Sequence, residues 1–119
     1  MAAPNIVSSA LASFMHISVV QLALTPAACG AATATEQTFT VTGLSVGDSL
    51  QTQDVILNVY KPTAQTGLAI GSCRVSAANT ISIQFINPTA GSITPTAGEL
   101  YTITVLRPCE TVDADATVV

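Results

Sequence analysis

The chain alternates hydrophobic and polar residues in several short segments, which is the pattern of β-strands that bury one face. Segments 37–43, 79–86 and 100–107 show it most clearly. Successive side chains of a strand point to opposite faces, so each segment is predicted to form a half-buried strand. The residues predicted to face the core are Phe39, Val41, Ile81, Ile83, Phe85, Tyr101, Ile103 and Val105.

Three further segments predict strands with less regular patterns. Residues 55–60 are apolar on both faces, which indicates a central strand or a strand at an interface. Residues 68–76 predict a weaker strand in which Gly71 marks a bulge. Residues 16–24 predict the first strand, although their pattern also allows a helix.

Gly, Pro and Asn residues separate these segments and predict turns. Many short strands divided by such turns predict an all-β fold, either a single antiparallel β-sandwich or a jelly-roll-like barrel. Residues 1–15 show neither turn signals nor strong alternation and are predicted to form an extended N-terminal arm. The predicted organisation is an arm at 1–15, a β-domain at 16–108 and an acidic C-terminal tail at 109–119.

Composition narrows the classes of function. Charged residues make up 8% of the chain, against about 25% in an ordinary soluble domain, which suggests that surface is hidden in an assembly. The formal net charge is −4 with only three basic residues, too few for a phosphate-binding patch, so no nucleic-acid partner is expected. The N-terminal region has no basic residue and is interrupted by polar ones, so neither a secretory signal nor a membrane segment is expected.

The residues that carry chemistry are few and scattered. The chain has one histidine, His16, and its acidic residues are not paired by spacing. No nucleophile, phosphate-loop, zinc or calcium motif is present. The three cysteines, Cys29, Cys73 and Cys109, are an odd set at long spacings and are predicted to be reduced, buried thiols; a link between subunits through Cys109 is the alternative. We therefore expect no catalytic residue, no metal, no cofactor and no enzymatic activity.

The basic residues allow two interpretations, because each lies at or near the end of a predicted strand. They are strand-end charges that protect sheet edges, or they form ion pairs across an interface with another protein subunit. The candidate interface residues are Lys61, Arg74 and Arg107, together with Asn5, Ile6, Val7 and Phe14 of the predicted arm.

Several sequence phrases resemble a group of small virion proteins of tailed bacteriophages, the capsid decoration or cement proteins. The phrases are EQTFTVTGLSVGD at 36–48, KPT at 61–63, GLAIGSCRVSAANTISIQFINPT at 67–89 and ITPTAGELYTITVLRP at 93–108. The resemblance spans about residues 16–108 and rests on strand and loop phrases. Residues 51–60 depart from it, because the stretch between the GD turn and the KP pair is longer than in that group.

The resemblance implies a structural protein on the outer surface of the virion, made in the host cytoplasm. Its expected partners are several subunits of the major capsid protein, with a homotrimer as the expected oligomer and no nucleic acid or membrane. A tail or head-fibre component that binds a receptor through an exposed loop at 87–98 is the alternative. A hydrolase of the cell envelope is disfavoured by the scarcity of His and of paired acids.

Overall fold

The computed structural model describes residues 15–46 and 53–108, which form a β-sandwich of two antiparallel sheets. The first sheet has the order β1-β6-β3 and the second has the order β2-β5-β4. The strands are β1 (Met15–Leu24), β2 (Thr33–Thr40), β3 (Val55–Tyr60), β4 (Ala69–Ala77), β5 (Thr80–Asn87) and β6 (Glu99–Pro108). The predicted all-β sandwich is confirmed, and the described residues include no helix with the length and hydropathy needed to span a bilayer.

The first sheet joins the two ends of the described chain. β1 pairs with β6 along its whole length, from Met15 opposite Pro108 to Leu24 opposite Glu99, without a register shift. β3 pairs with the other side of β6 and carries a bulge at Leu57. The strand alternative for residues 16–24 is therefore confirmed, and the helix alternative is wrong.

The second sheet is built on the hairpin of β4 and β5. The hairpin turns at Ala78 and Asn79, and Asn79 has a φ of 57°, a left-handed conformation that Asn adopts more readily than most residues. The register of β4 shifts between Ile70 and Cys73. The predicted bulge at Gly71 is thus confirmed, and the amide oxygen of Gln84 on β5 approaches this site.

The core lies between the sheets and is supplied mainly by their central strands. Ile81, Ile83 and Phe85 of β5 are fully buried, and Tyr101, Ile103 and Val105 of β6 face them with at most 5% of their surface exposed. Val41 is buried and Phe39 is partly buried. The predicted inward-facing set is therefore confirmed. The prediction succeeded because side chains alternate along a strand. A one-residue shift in register would turn each of these inward residues toward solvent.

The bounds of β2 and the position of β3 differ from the prediction. β2 begins at Thr33, earlier than the predicted start at Gln37, so Glu36 lies within the strand. β3 has the predicted bounds but lies at the edge of its sheet, so the central-strand alternative is wrong and the interface alternative stays a prediction. Met15, the last residue of the predicted arm, begins β1. Residues 1–14, the acidic tail and Cys109 lie outside the described residues, so the three-part division of the chain stays a prediction.

The long connection between β5 and β6 is fixed to the loop that follows β1. The amide and carbonyl of Cys29 pair with those of Ile93 at 2.8 and 3.0 Å. The buried Asn87 side chain donates to the carbonyls of Cys29, Gly30 and Gly91 at 3.1, 3.1 and 2.8 Å. These contacts close one side of the sandwich and give the 88–98 loop a defined shape.

Candidate interaction surface

All six Lys, Arg, Asp and Glu side chains in the described residues form ion pairs with one another. The pairs are Lys61–Glu99, Arg74–Glu36 and Arg107–Asp54. Three cations against three carboxylates leave this part of the chain with no net charge. The formal charge of −4 therefore comes from the acidic residues outside it, which are Asp48, Glu110, Asp113 and Asp115.

The Lys61–Glu99 pair joins the end of β3 to the start of β6. Lys61 Nζ lies 3.0 Å from Glu99 Oε1, and the side chains are 9% and 7% exposed. The Thr63 hydroxyl donates to the other carboxylate oxygen, and Lys61 also donates to the Thr63 carbonyl at 2.7 Å. The Thr63 hydrogen bond, with a smaller contribution from Lys61, lowers the pKa of Glu99. These contacts hold the residues that follow β3 to the start of β6.

Tyr101 and Cys73 are nucleophiles by residue type, and burial raises the pKa of both. The Tyr101 hydroxyl is buried without a hydrogen-bond partner in the described residues, and burial raises the pKa of Tyr101 to about 12. Burial likewise raises the pKa of the half-buried Cys73 thiol to about 12. A phenol and a thiol of such high pKa stay protonated at neutral pH, so neither is an activated nucleophile.

The Arg74–Glu36 pair lies on the outer surface of the second sheet. Arg74 Nε and Nη2 donate to the two Glu36 oxygens at 2.8 and 2.9 Å across the central strand β5. The hydrogen bond to Arg74 lowers the pKa of Glu36. This pair is exposed to water, which marks the outside of the second sheet as a solvated surface.

The Arg107–Asp54 pair holds the end of β6 to the segment before β3. Asp54 is 1% exposed and accepts from Arg107 Nε and Nη2 at 2.8 and 2.6 Å and from the Ser45 amide at 2.8 Å. Arg107 Nη2 also donates to the Gly43 carbonyl at 2.5 Å. The hydrogen bond to Arg107 holds the pKa of Asp54 below its usual value. Asp54 therefore holds Ser45, the start of β3 and the end of β6 next to one another.

Replacing Asp54 by Asn should make the stability of the protein less dependent on pH. A lowered pKa in the folded state means that the Asp54 carboxylate stabilises the fold above about pH 4 and loses this effect as the pH falls through its folded-state pKa. We expect Asp54→Asn to lower the free energy of unfolding by about 2 kcal/mol at pH 7, because charged hydrogen bonds are lost. The difference from wild type should shrink steadily toward pH 2 in urea titrations.

Glu36→Gln is the control for this pH dependence, because it removes a carboxylate whose pKa is also lowered but which lies at the surface. Its effect at pH 7 should be much smaller than that of Asp54→Asn. A difference between Asp54→Asn and wild type that stays constant from pH 7 to pH 2 would contradict the assignment.

The structure does not bring the predicted interface residues together. Lys61, Arg74 and Arg107 lie on three different strands or strand ends, and each pairs with a carboxylate of its own chain. Their roles inside the fold are thus accounted for, and a further role at an interface stays a prediction. The other candidates, Asn5, Ile6, Val7 and Phe14, lie outside the described residues.

The surface that sequence reasoning missed is the outside of the first sheet. The strand register aligns its outward residues in rows, for example Tyr60, Thr102 and Gln21 across the three strands. We call this surface the apolar outer face. It comprises Ile17, Val19, Gln21 and Ala23 of β1, Leu100, Thr102, Thr104 and Leu106 of β6, and Val55, Leu57, Asn58 and Tyr60 of β3.

The apolar outer face carries no Lys, Arg, Asp or Glu and gathers nearly all the exposed large hydrophobic residues of the described chain. Six of the seven such residues belong to it, with exposed fractions from 41% at Val55 to 65% at Val19. The seventh, Val46, lies in the connection before β3. An uncharged surface that gathers most of the exposed large hydrophobic residues, interspersed with Thr, Gln and Asn, is typical of a site that another macromolecule covers.

Small-molecule binding has less support than macromolecular binding. A cleft between β3 and β4, lined by residues such as Ile56, Val59 and Ile70, has a volume of about 210 Å³. Ligand pockets usually enclose about 300–1,000 Å³. No group of three or more His, Cys, Asp or Glu that could hold a metal occurs within residues 15–46 and 53–108.

No protein-family model, no curated protein and no solved structure matches this chain. Two features of the molecule therefore bear on its function: the apolar outer face, and the resemblance of its sequence phrases to decoration proteins.

Proposed function

We propose that this chain is a non-enzymatic structural protein of a tailed-phage virion that decorates and stabilises the outer surface of the capsid. It acts as a homotrimer and binds several subunits of the major capsid protein. The observation that supports an assembly role most directly is the apolar outer face, an uncharged sheet surface that contributes little to the core of its own chain. The resemblance of residues 16–108 to decoration proteins supports the capsid as the assembly.

A decoration protein acts by linking neighbouring capsid subunits. Several weak contacts made together give a strong attachment, because each contact after the first is intramolecular. A protein that binds only the assembled shell also stabilises that shell by mass action. A sandwich whose described ion pairs lie within the chain and whose 88–98 loop is anchored suits this task, since this part of the chain has little order to gain on binding.

The charge distribution supports the choice of partner. The three basic residues are engaged by carboxylates of the same chain, which leaves no cationic patch in the described residues for a nucleic acid. The proposed location is the outer capsid surface after synthesis in the host cytoplasm, with no membrane partner.

The receptor-binding alternative relied on an exposed, variable loop at residues 87–98. In the structure this loop is anchored by the buried Asn87 side chain and by the bridge between Cys29 and Ile93. Gln65 holds it further through Thr94 and Thr96. A loop fixed at so many points gives the alternative no specific support.

The copy number per virion tests the proposal. Quantitative mass spectrometry of purified virions should give one copy of this chain for every one to few subunits of the major capsid protein, because a decoration protein covers the whole shell. A tail protein from the same particles provides the low-copy standard. A ratio equal to that of the tail protein would contradict decoration and favour a tail or vertex component.

A further inference from the structure

The apolar outer face raises a question that the proposed function makes sharper. A decoration protein joins a shell that has already assembled, so it must first exist free in solution. Monomeric soluble proteins rarely leave a contiguous apolar surface uncovered. If the proposed function holds, on which this step rests, something covers the face before the capsid is reached.

We propose that the apolar outer face is covered by the same face of further copies of this chain. Charge permits a self-contact on this face, because identical copies that meet through an uncharged surface bring no like charges together. The face carries no Lys, Arg, Asp or Glu, whereas the outside of the second sheet carries the Arg74–Glu36 pair. The outside of the first sheet is thus the surface on which two copies can meet without placing charged side chains in the contact.

The edge strands of the two sheets give a second reason to place the contact at the first sheet. Edge strands are normally protected against pairing with other chains by charges, prolines or bulges. β2 carries Glu36, β3 has the bulge at Leu57, and β4 has both a bulge and Arg74. β1 has ten residues that pair with β6 without a register shift, and the strand itself contains no charge, proline or bulge before Leu24. It is one edge of the apolar outer face. The unprotected edge is consistent with burial in an assembly.

The size of the face is sufficient for a specific contact. Two strands of ten residues and one of six cover roughly 420 Å² at the usual residue and strand spacings. A planar footprint of this size on each of two copies gives a total of roughly 850 Å², close to the ~1,000 Å² that a specific interface needs. The true accessible area is larger because side chains project from the sheet.

The central test is the oligomeric mass of the full chain with and without a charge on the face, placed halfway along its edge strand β1. Val19 is the most exposed hydrophobic residue there and lies opposite Thr104. In Val19→Lys, copies should need about 100-fold higher concentration or more to associate, because like charges are brought together across the contact. Wild type should sediment as a multiple of the 12.1 kDa monomer mass at micromolar concentration, and the variant as a monomer.

Thr38→Lys is the matched control. Thr38 is also an exposed, outward position on an edge strand, but it belongs to the second sheet. This variant should associate like wild type, and circular dichroism should show that both variants keep the fold. An assembly that Val19→Lys dissolves and Thr38→Lys leaves intact supports the proposal.

A monomeric wild type, or an assembly that responds equally to both variants, would overturn the proposal. These results are independent of the capsid. A low copy number in virions would count against decoration but leave the self-contact standing, and a monomer with a high copy number would do the reverse. A dimer mass would support the self-contact and contradict only the homotrimer.

Discussion

Replacing Asn87 by Ala should destabilise the protein by about 3 kcal/mol, one of the largest effects of any single polar substitution in this chain. Asn87 is fully buried, and its amide nitrogen serves three carbonyls of two loops. Its oxygen accepts from the amide and hydroxyl of Thr89 at 2.9 and 2.6 Å. Alanine removes all five of these hydrogen bonds at a fully buried position, and it takes away the acceptor of the Thr89 amide, so the loss is larger than that of an ordinary surface hydrogen bond.

Two measurements check this expectation. Urea unfolding gives the loss of stability. Hydrogen exchange follows the amides of Cys29 and Ile93, each of which donates to the carbonyl of the other residue across the two loops, and these amides should lose protection before the core strands do. Asn58→Ala is the control, because Asn58 is exposed on β3 and its replacement should cost no more than about 0.5 kcal/mol. Because Asn58 lies on the apolar outer face, both variants are measured in the Val19→Lys background, so that self-association does not enter the comparison. Equal losses in the two variants would contradict the role of Asn87 as the link between loops.

The strands of this fold could be predicted from the sequence where one face is buried and the other is not. β5 and β6 alternate over most of their length, so their inward residues, and their bounds to within one residue, followed from the pattern. The start of β2 could not be predicted, because residues 33–36 are exposed on both faces. They are strand only because they pair with the end of β5, from Asn87 to Gln84, and no local pattern reports such a pairing.

The candidate site followed from the sequence only in part. The ion pairs join residues that are far apart along the chain, such as Asp54 with Arg107, so no spacing rule could reveal them. The apolar outer face did leave a signal, because residues 55–60 are apolar on both sides, which predicts either a central strand or a strand at an interface. The same signal in residues 16–24, where Ile17 and Val19 alternate with inward Val20 and Leu22, was not used.

Replacing Phe85 by Ala should cost about 3–5 kcal/mol, because it removes a fully buried ring from the centre of the sandwich and leaves a cavity. Leu100→Ala is the comparison. Leu100 is also a large apolar residue on a central strand, but it lies on the apolar outer face and is 48% exposed. Its replacement should cost under about 1 kcal/mol.

Both substitutions should be measured by urea unfolding in the Val19→Lys background, so that self-association does not add to the apparent stability. A large loss in Phe85→Ala with a small one in Leu100→Ala would mean that the fold needs the inner apolar residues and not the outer ones. The outer residues would then have to be explained by a contact outside the chain, which is the premise of both proposals. Comparable losses would instead mean that the apolar outer face contributes to the stability of the single chain, and the premise would fail.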